Sequence, residues 1–289
     1  MAARLLEGRP IAEKIKMALR SEIEDLRREF NASATLATIQ VGENPSAAIY
    51  LKSQKKSAKD IGIEFQEHTL PASTSEKELI ERIRALNSDK GVTGILLQLP
   101  LPGHINSKGI HVYIDPVKDV EGMHPENVGR VIFGHMRIGS CTALAVMELI
   151  TSTGVDLYGK EAVIVGHSEI VGKPVSLLLV DKFATTTVCH IATGQRGYLP
   201  THVKRAEILV VAVGRAGIIQ GEWVKEGAIV VDVGINRVGD KIVGDVEFEK
   251  ASERASFITP VPGGVGPLTV TMLMRNTVEA FKLQRLVDK

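Results

Sequence analysis

Tyr50 and Gln54 stand four residues apart in Tyr50-Leu51-Lys52-Ser53-Gln54-Lys55-Lys56, a run that follows VGENPSAAI and opens a helix. The two side chains therefore share one helical face. A tyrosine followed at this spacing by a titratable lysine would form an acid/base pair. Gln54 cannot give or take a proton near neutral pH. Lys52 and Lys55 are poor replacements: at ~100° per residue, Lys55 lies about 140° around the helix from Tyr50, against about 40° for Gln54. The run has the character of an active-site helix in which one working part has been exchanged.

Three further strings could carry chemistry. The turn Gly166-His167-Ser168-Glu169-Ile170-Val171-Gly172 follows the apolar VIV and opens a helix. Its first glycine permits a tight turn, Gly172 permits close approach of helix and strand, and the helix N-terminus offers N–H groups to a phosphate. The usual middle glycine is replaced, with Ser168 nearby as a hydroxyl donor. The competing reading is a glycine turn of any α/β unit. The next strand ends Cys189-His190-Ile191-Ala192-Thr193 with no acid to grip the ribose hydroxyls of NAD, which leans toward NADP, and Arg196 is close by. The loop TPVPGGVGPLTVTML (259–273) carries Gly263, Gly264 and Gly266, which let backbone approach a ligand, though a stiff connector would use the same residues. Asp119 and Glu121, with Gly122 supplying the bend, are candidate carboxylates, against the commoner case of a solvated loop acid. His124, beside a proline, reads as a structural hydrogen-bonding residue. Cys141 lacks a paired histidine–acid motif, so a thiol nucleophile is disfavoured. No histidine, cysteine and acid cluster has metal-ligand spacing, so no metal is expected.

The elements that must position these residues alternate. Ile11, Ile15, Leu19, Ile23 and Leu26 repeat at helical spacing after Pro10. ATLATIQVG reads as a buried strand, followed by the Tyr50 helix ending near Gly62, the strand IEFQEHTL, the helix SEKELIERIRALN and the strand GVTGILLQLPLP. This βαβαβ order implies a parallel sheet with active residues beyond the carboxyl ends of its strands. Gln98, Pro100 and Pro102 sit at one such end, and Val41 to Pro45 at another. HVYIDPVKDVEGMHPENVGRVIFG reads as a long loop over the site. From SCTALAVMELITSTG onward, EAVIVGHSEIVGKPVSLLLV, TTTVCHIAT, AEILVVAVG, GAIVVDVGI and ASFITPVPGG form a second doubly wound series. KIVGDVEF reads as an antiparallel strand or short ribbon, and VTMLMRNTVEAFKLQRL as a closing amphipathic helix.

The 289 residues allow two domains, and 44% hydrophobic with 24% charged residues is ordinary for a globular chain. A formal net charge of +1 draws the protein to neither nucleic acid nor membrane, and 4% aromatics are too few for base-stacking platforms. MAARLLEGRP has no apolar export core and no apolar run approaches ~18 residues. With two cysteines, Cys141 and Cys189, expected as reduced thiols, the chain reads as cytoplasmic.

Taken together, VGENPSAAIYLKSQKKSAKDIGI, GILLQLPLP, DPVKDVEGMHPENVGR, GHSEIVGKP, GAIVVDVGINR and TPVPGGVGPLTVTML resemble, in order and over nearly the whole chain, the bifunctional methylenetetrahydrofolate dehydrogenase/methenyltetrahydrofolate cyclohydrolase family. The resemblance implies an α/β homodimer of one-carbon metabolism. Residues 1–140 with 271–289 would form a folate-binding catalytic domain and 141–270 a Rossmann domain. Folate would lie in the cleft against the nicotinamide of NADP, with NAD as the alternative. It further implies that Tyr50 stacks on or positions folate and that Gln98 contacts the catalytic group on the pterin side. Pro262 and Gly263 would line the folate pocket with Gly122 at its bend. Gly166, His167 and Ser168 would hold the dinucleotide, with Ile235 near its far end.

The departures fall in the folate site. Gln54 replaces the family's lysine, Glu121 its common aspartate, and Ala47 and Ala48 its small polar residues. HIATGQRGYLPTHV is a few residues longer than usual near the adenosine phosphate. Hydride transfer mainly needs alignment of donor and acceptor. Hydrolysis of the methenyl product needs activated water and proton relays, worth typically 10²–10⁴-fold. The dehydrogenase is therefore expected to persist and the cyclohydrolase to be weakened or lost. Two other readings compete: a homolog that binds folate and nucleotide in a regulatory role, and a two-domain dehydrogenase of the shikimate type, against which the PVPGGVGP loop and the tyrosine helix both speak.

Overall fold

The computed structural model of the chain describes residues 2–107 and 109–286, with the backbone alone at 45–47 and 286. In order, the elements are β1 (Arg4–Leu5), α1 (Gly8–Phe30), β2 (Thr35–Val41), α2 (Pro45–Ile61), β3 (Glu64–Leu70), α3 (Glu76–Ser88), β4 (Gly94–Leu97), α4 (Pro125–Ile132) and α5 (Cys141–Ser152). There follow β5 (Glu161–Val165), α6 (Gly172–Asp181), β6 (Thr185–Cys189), α7 (Ile191–Gln195), α8 (Leu199–Val203), β7 (Ile208–Val211) and β8 (Ile229–Asp232). The chain closes with β9 (Asn236–Val238), β10 (Lys241–Val243), α9 (Phe248–Arg254), β11 (Phe257–Ile258) and α10 (Val265–Leu286). Two compact units result, one of residues 14–141 with 270–289 and one of 1–13 with 142–269.

The first unit is built on the parallel sheet β3-β2-β4. Its central strand, TLATIQV, is buried at every position but one, while edge strand β3 has only exposed and half-buried residues. Leu79, Ile83 and Leu86 of α3 recur at helical spacing and pack with Ile39, Ile95 and Leu97 in one apolar cluster. Ser75 and Glu78 close a capping box at the start of α3, satisfying N–H groups that the helix itself leaves free. β3 and β4 leave β2 in opposite directions, so a crevice opens beyond the carboxyl ends of β2 and β4.

The second unit carries the six-stranded sheet β1-β11-β8-β7-β5-β6, parallel throughout. Strands β7 and β8 are wholly buried, as the unbroken runs ILVV and IVVD require of strands covered on both faces. The order reverses at β5, which places a second crevice beyond the ends of β5 and β7. β9 and β10 form a separate antiparallel ribbon.

The structure departs from the sequence expectations in three places. Residues 2–13 lie with the nucleotide unit rather than inside a 1–140 domain, because Arg4 and Leu5 pair with Phe257 and Ile258 as an edge strand. The segment 111–134 is not one long loop: it holds a 3-10 turn over Ile110–Tyr113 and helix α4, whose start is capped by His124 Nδ1 accepting from Glu126 N, with Pro125 in the first turn. The last helix starts at Val265, so the end of the glycine loop is already helical.

Candidate active site and dinucleotide turn

The first crevice collects four of the residues singled out by chemistry. α2 leaves β2 through Gly42, and its spacing turns Gln54, Ser57, Ala58 and Ile61 inward while Lys52, Lys55, Lys56 and Lys59 face out. Lys55 pairs with Glu67 and Lys56 with Asp60, so neither lysine substitutes for the missing ammonium. Gln54 is fully buried. Its Oε1 accepts a 2.8 Å hydrogen bond from Nε2 of Gln98, the residue directly after β4, whose own N–H extends the sheet ladder to Ile39 O. Gln54 Nε2 makes no hydrogen bond at good geometry, although the amide lies close enough to the Tyr50 hydroxyl for a weak polar contact. A buried amide N–H without a partner is costly, so this donor is one that a ligand would complete.

Tyr50 is half-buried. Burial, then the neighbouring Cys141 and Glu121, hold its hydroxyl well above the usual phenol range, opposed slightly by Gln54. It remains a neutral hydrogen-bonding group at any physiological pH. Glu121 retains some accessible surface, but the protein packed around it governs its solvation: burial, then the charge of Asp119, push its pKa up to about 8. At neutral pH the Glu121 carboxyl is therefore mostly protonated and can donate a hydrogen bond.

The turn bearing Glu121 is tightly specified. Ile95 bridges Asp119 in parallel and donates its N–H to Lys118 O, so residues 118–120 run beside β4. Val120 fills the space above Gly94, where an added Cβ would sit 2.4 Å from Val120 Cγ1. Gly122 has φ +69°, and a Cβ there would fall 2.3 Å from the Gly139 carbonyl carbon, so the bend needs glycine. Asp119 is fully buried rather than solvated. Its Oδ2 accepts from His124 N and Asn127 Nδ2, which makes it an organiser of the turn. His124 has the structural role expected of it. Cys141 is buried, its thiol held far from ionisation by burial and by Glu121 and Asp119, so it is no nucleophile. Ala48 is exposed; the side chain of Ala47 lies outside the described residues. Asn127 and Asn276 were not singled out by sequence; a lone asparagine carries no pattern that could have flagged either.

In the nucleotide unit, Gly166 follows β5 with φ +125°, and a Cβ there would meet Ala212 O at 2.4 Å. A Cβ on Gly172 would meet Gly166 O at 2.1 Å, so both glycines are required by close approach. Ser168 Oγ accepts from Val171 N at 3.1 Å and keeps its proton to donate. His167 is exposed, its ring 5.5 Å from that of His190 at the end of β6. No carboxylate occurs between His190 and Leu199, and Arg196 stacks on the Tyr198 ring. Ile235, 67% exposed, follows β8, and the exposed Pro262 and Gly263 follow β11, so all these residues lie beyond the carboxyl ends of one parallel sheet. Gly263 O accepts from Gly8 N, which anchors the loop to the start of α1. Among the described residues no group of three or more His, Cys, Asp or Glu side chains is placed to hold a metal ion.

A parallel sheet with a glycine turn at its reversal point defines a nucleotide-binding α/β protein of the Rossmann type, here joined in one chain to a unit built on a smaller parallel sheet with its own polar crevice. Residues 6–121 match the model of the tetrahydrofolate dehydrogenase/cyclohydrolase catalytic domain, and residues 140–285 that of the NAD(P)-binding domain of the same enzymes. The chain belongs to the tetrahydrofolate dehydrogenase/cyclohydrolase family. It is 50% identical over 279 residues to the bifunctional protein FolD 2 of Geobacter metallireducens, covering 96% of both chains. Among solved structures it is similar to the bifunctional FolD methylenetetrahydrofolate dehydrogenase/cyclohydrolase of Campylobacter jejuni (44% identity, 98% and 100% covered, TM-score 0.93). It is also similar to the Trypanosoma brucei enzyme, whose structure was determined with NADP and an inhibitor (38% identity, 98% and 99% covered, TM-score 0.94).

Proposed function

We propose that the protein is an NADP-dependent 5,10-methylenetetrahydrofolate dehydrogenase in which methenyltetrahydrofolate hydrolysis is weakened or lost. The observation that carries this reading is Gln54: fully buried, hydrogen-bonded to Gln98, beside Tyr50 and unable to titrate. The dehydrogenase reaction converts 5,10-methylenetetrahydrofolate and NADP⁺ to the 5,10-methenyl cation and NADPH. A bound nicotinamide dinucleotide supplies the hydride acceptor. The residues present fit such a cofactor: the Gly166–Gly172 cradle would be filled by any Cβ, the α6 N-terminus offers N–H groups, and the end of β6 lacks the acid that would repel a 2′-phosphate.

On the folate side, Tyr50 gives a neutral, rigid face on which a pterin-benzoyl system can lie. Gln54 Nε2 is a donor in search of an acceptor, and Gln98 fixes the direction of that donor. Glu121, mostly protonated, can donate to or accept from the polar edge of the pterin. Oxidation develops positive charge on the one-carbon bridge, and a neutral amide at residue 54 does not oppose it as an ammonium would. Hydrolysis needs a group near that bridge to take and return a proton, and residue 54 supplies none.

The test is a side-by-side assay of both half-reactions in the native protein and in Gln54→Lys. NADP reduction in the native protein is expected, with methenyltetrahydrofolate decaying at the no-enzyme rate, and Gln54→Lys is expected to accelerate that decay about 100-fold or more. Native decay well above blank, abolished by Tyr50→Phe, would overturn the loss of hydrolysis. The same family reading supports a homodimer. No described helix is long and apolar enough to cross a membrane, and a cytoplasmic protein is the proposal that accords with this and with two buried free thiols; light scattering on the purified protein checks the dimer.

A further inference from the structure

Asn276 lies on a stretch of α10 that buries the apolar Met272, Leu273, Val278, Ala280 and Phe281 together with the small polar Thr271 and Thr277. An asparagine that is only 2% exposed costs several polar desolvations unless its amide is fully used. Its Nδ2 donates to Val120 O at 2.8 Å and to Gly139 O at 2.7 Å, and sits 3.4 Å from Cys141 Sγ. The Cys141 thiol donates to the same Val120 carbonyl at 3.3 Å. The carbonyl immediately before Glu121 thus takes two buried side-chain donors. On the other side of Glu121, Gly122 packs on Gly139, the second backbone group that Asn276 holds. The peptide before Glu121 is therefore bonded directly to the Asn276 amide, and Gly122 after it donates its N–H to Asp119 O and packs on the Gly139 group that the same amide holds, leaving the Glu121 Cα–Cβ vector little freedom.

We infer that Asn276, assisted by Cys141, is a positioning residue for Glu121: it sets where the carboxyl meets the folate substrate and does not touch that substrate itself. This rests on reading the Tyr50–Gln54–Gln98–Glu121 crevice as the folate site. Simple core glue predicts a different pattern of effects, and steady-state kinetics with methylenetetrahydrofolate and NADP separates the two.

Asn276→Leu, similar in size but without donors, is expected to raise the KM for methylenetetrahydrofolate about 10- to 100-fold, as small displacements of site groups do, while the KM for NADP stays within about twofold. Cys141→Ala is expected to raise the folate KM less, and Cys141→Ser, which keeps a donor toward Val120 O, to recover most of that loss. In a Glu121→Gln background the further effect of Asn276→Leu should shrink below about threefold, because the two residues act through one group. Equal changes in both KM values, fully additive losses, or unaltered kinetics in Asn276→Leu would overturn the inference. Should Asn276→Leu fail to fold, the Cys141→Ala and Cys141→Ser pair carries the same comparison. A native protein that neither turns over nor binds folate in a fluorescence titration would overturn the folate reading and this inference with it; native turnover with indifferent variants overturns the inference alone.

Discussion

The two units fix their functional loops by different means. In the nucleotide unit, Asp245 takes N–H donors from Val213, Gly214 and Arg215 and the Asn236 amide, while Asp232 takes those of Gly234, Asp245 and Val246. Neither acid has an oxygen atom without a donor. Gly234 and Gly244 leave the room these carboxylates occupy, since a Cβ on either would fall about 2 Å from an oxygen. In the catalytic unit the corresponding network is unfinished: Gln54 Nε2, Asp119 Oδ1 and His111 Nδ1 are buried without a well-formed hydrogen bond. A closed network of backbone and glycine holds a cofactor by shape. A network of side chains left open in this way can accept a single exchange, as at Gln54, without any change of fold.

The sharpest way to break this contrast is in the nucleotide unit. Gly172→Ala places a methyl 2.1 Å from Gly166 O, and a loss of about 3 kcal/mol is expected in urea unfolding, with NADP binding abolished by titration. If the variant instead binds NADP normally, the cradle is not held by shape.

A middle-sized effect lies in pH. Asp232 is pushed from 3.8 up to about 6, by burial first, so the native state binds its proton more tightly than the unfolded chain does. Stability from this group is present below about pH 4 and lost as pH rises through about 6, a swing on the order of 3 kcal/mol. Glu121 has the same sign over a wider window, from 4.5 to about 8. Unfolding midpoints against pH should lose the lower slope in Asp232→Asn and the upper slope in Glu121→Gln. The folate KM should also rise above about pH 8 in the native protein and stay flat in Glu121→Gln. The smallest effect is expected at Lys55→Ala. Its pairing with Glu67 is largely exposed, so less than about 0.5 kcal/mol and no change in turnover should be measured.

The alternation of apolar runs made both parallel sheets legible, because strands covered on both faces must be continuously hydrophobic and βα units return in one hand. The glycine turn was legible for a similar reason: Gly166 and Gly172 are forced by contacts that no other residue can make. β1 was not, since Arg4 and Leu5 show no periodicity and their partner lies far along the chain. α4 was missed although His124-Pro125-Glu126 held a readable start signal; eight residues between turns gave too little periodicity to outweigh it. In the crevice, Tyr50, Gln54 and Gln98 came from spacing and family resemblance. Asn127 and Asn276 belong to tertiary hydrogen bonding, which leaves no trace in local sequence.

The strand β1 has a further consequence, for synthesis. Arg4 and Leu5 find their partners in Phe257 and Ile258, and Asn276 reaches back to Val120. At about 5–20 residues per second, the ribosome delivers β11 some 12 to 50 seconds after β1 has been made. Through that interval the edge of the nucleotide sheet is unfinished and the turn that bears Glu121 has no amide to fasten it. Neither unit is complete until residues 257–276 have emerged, since Phe257 and Ile258 pair with β1 and Asn276 holds Val120.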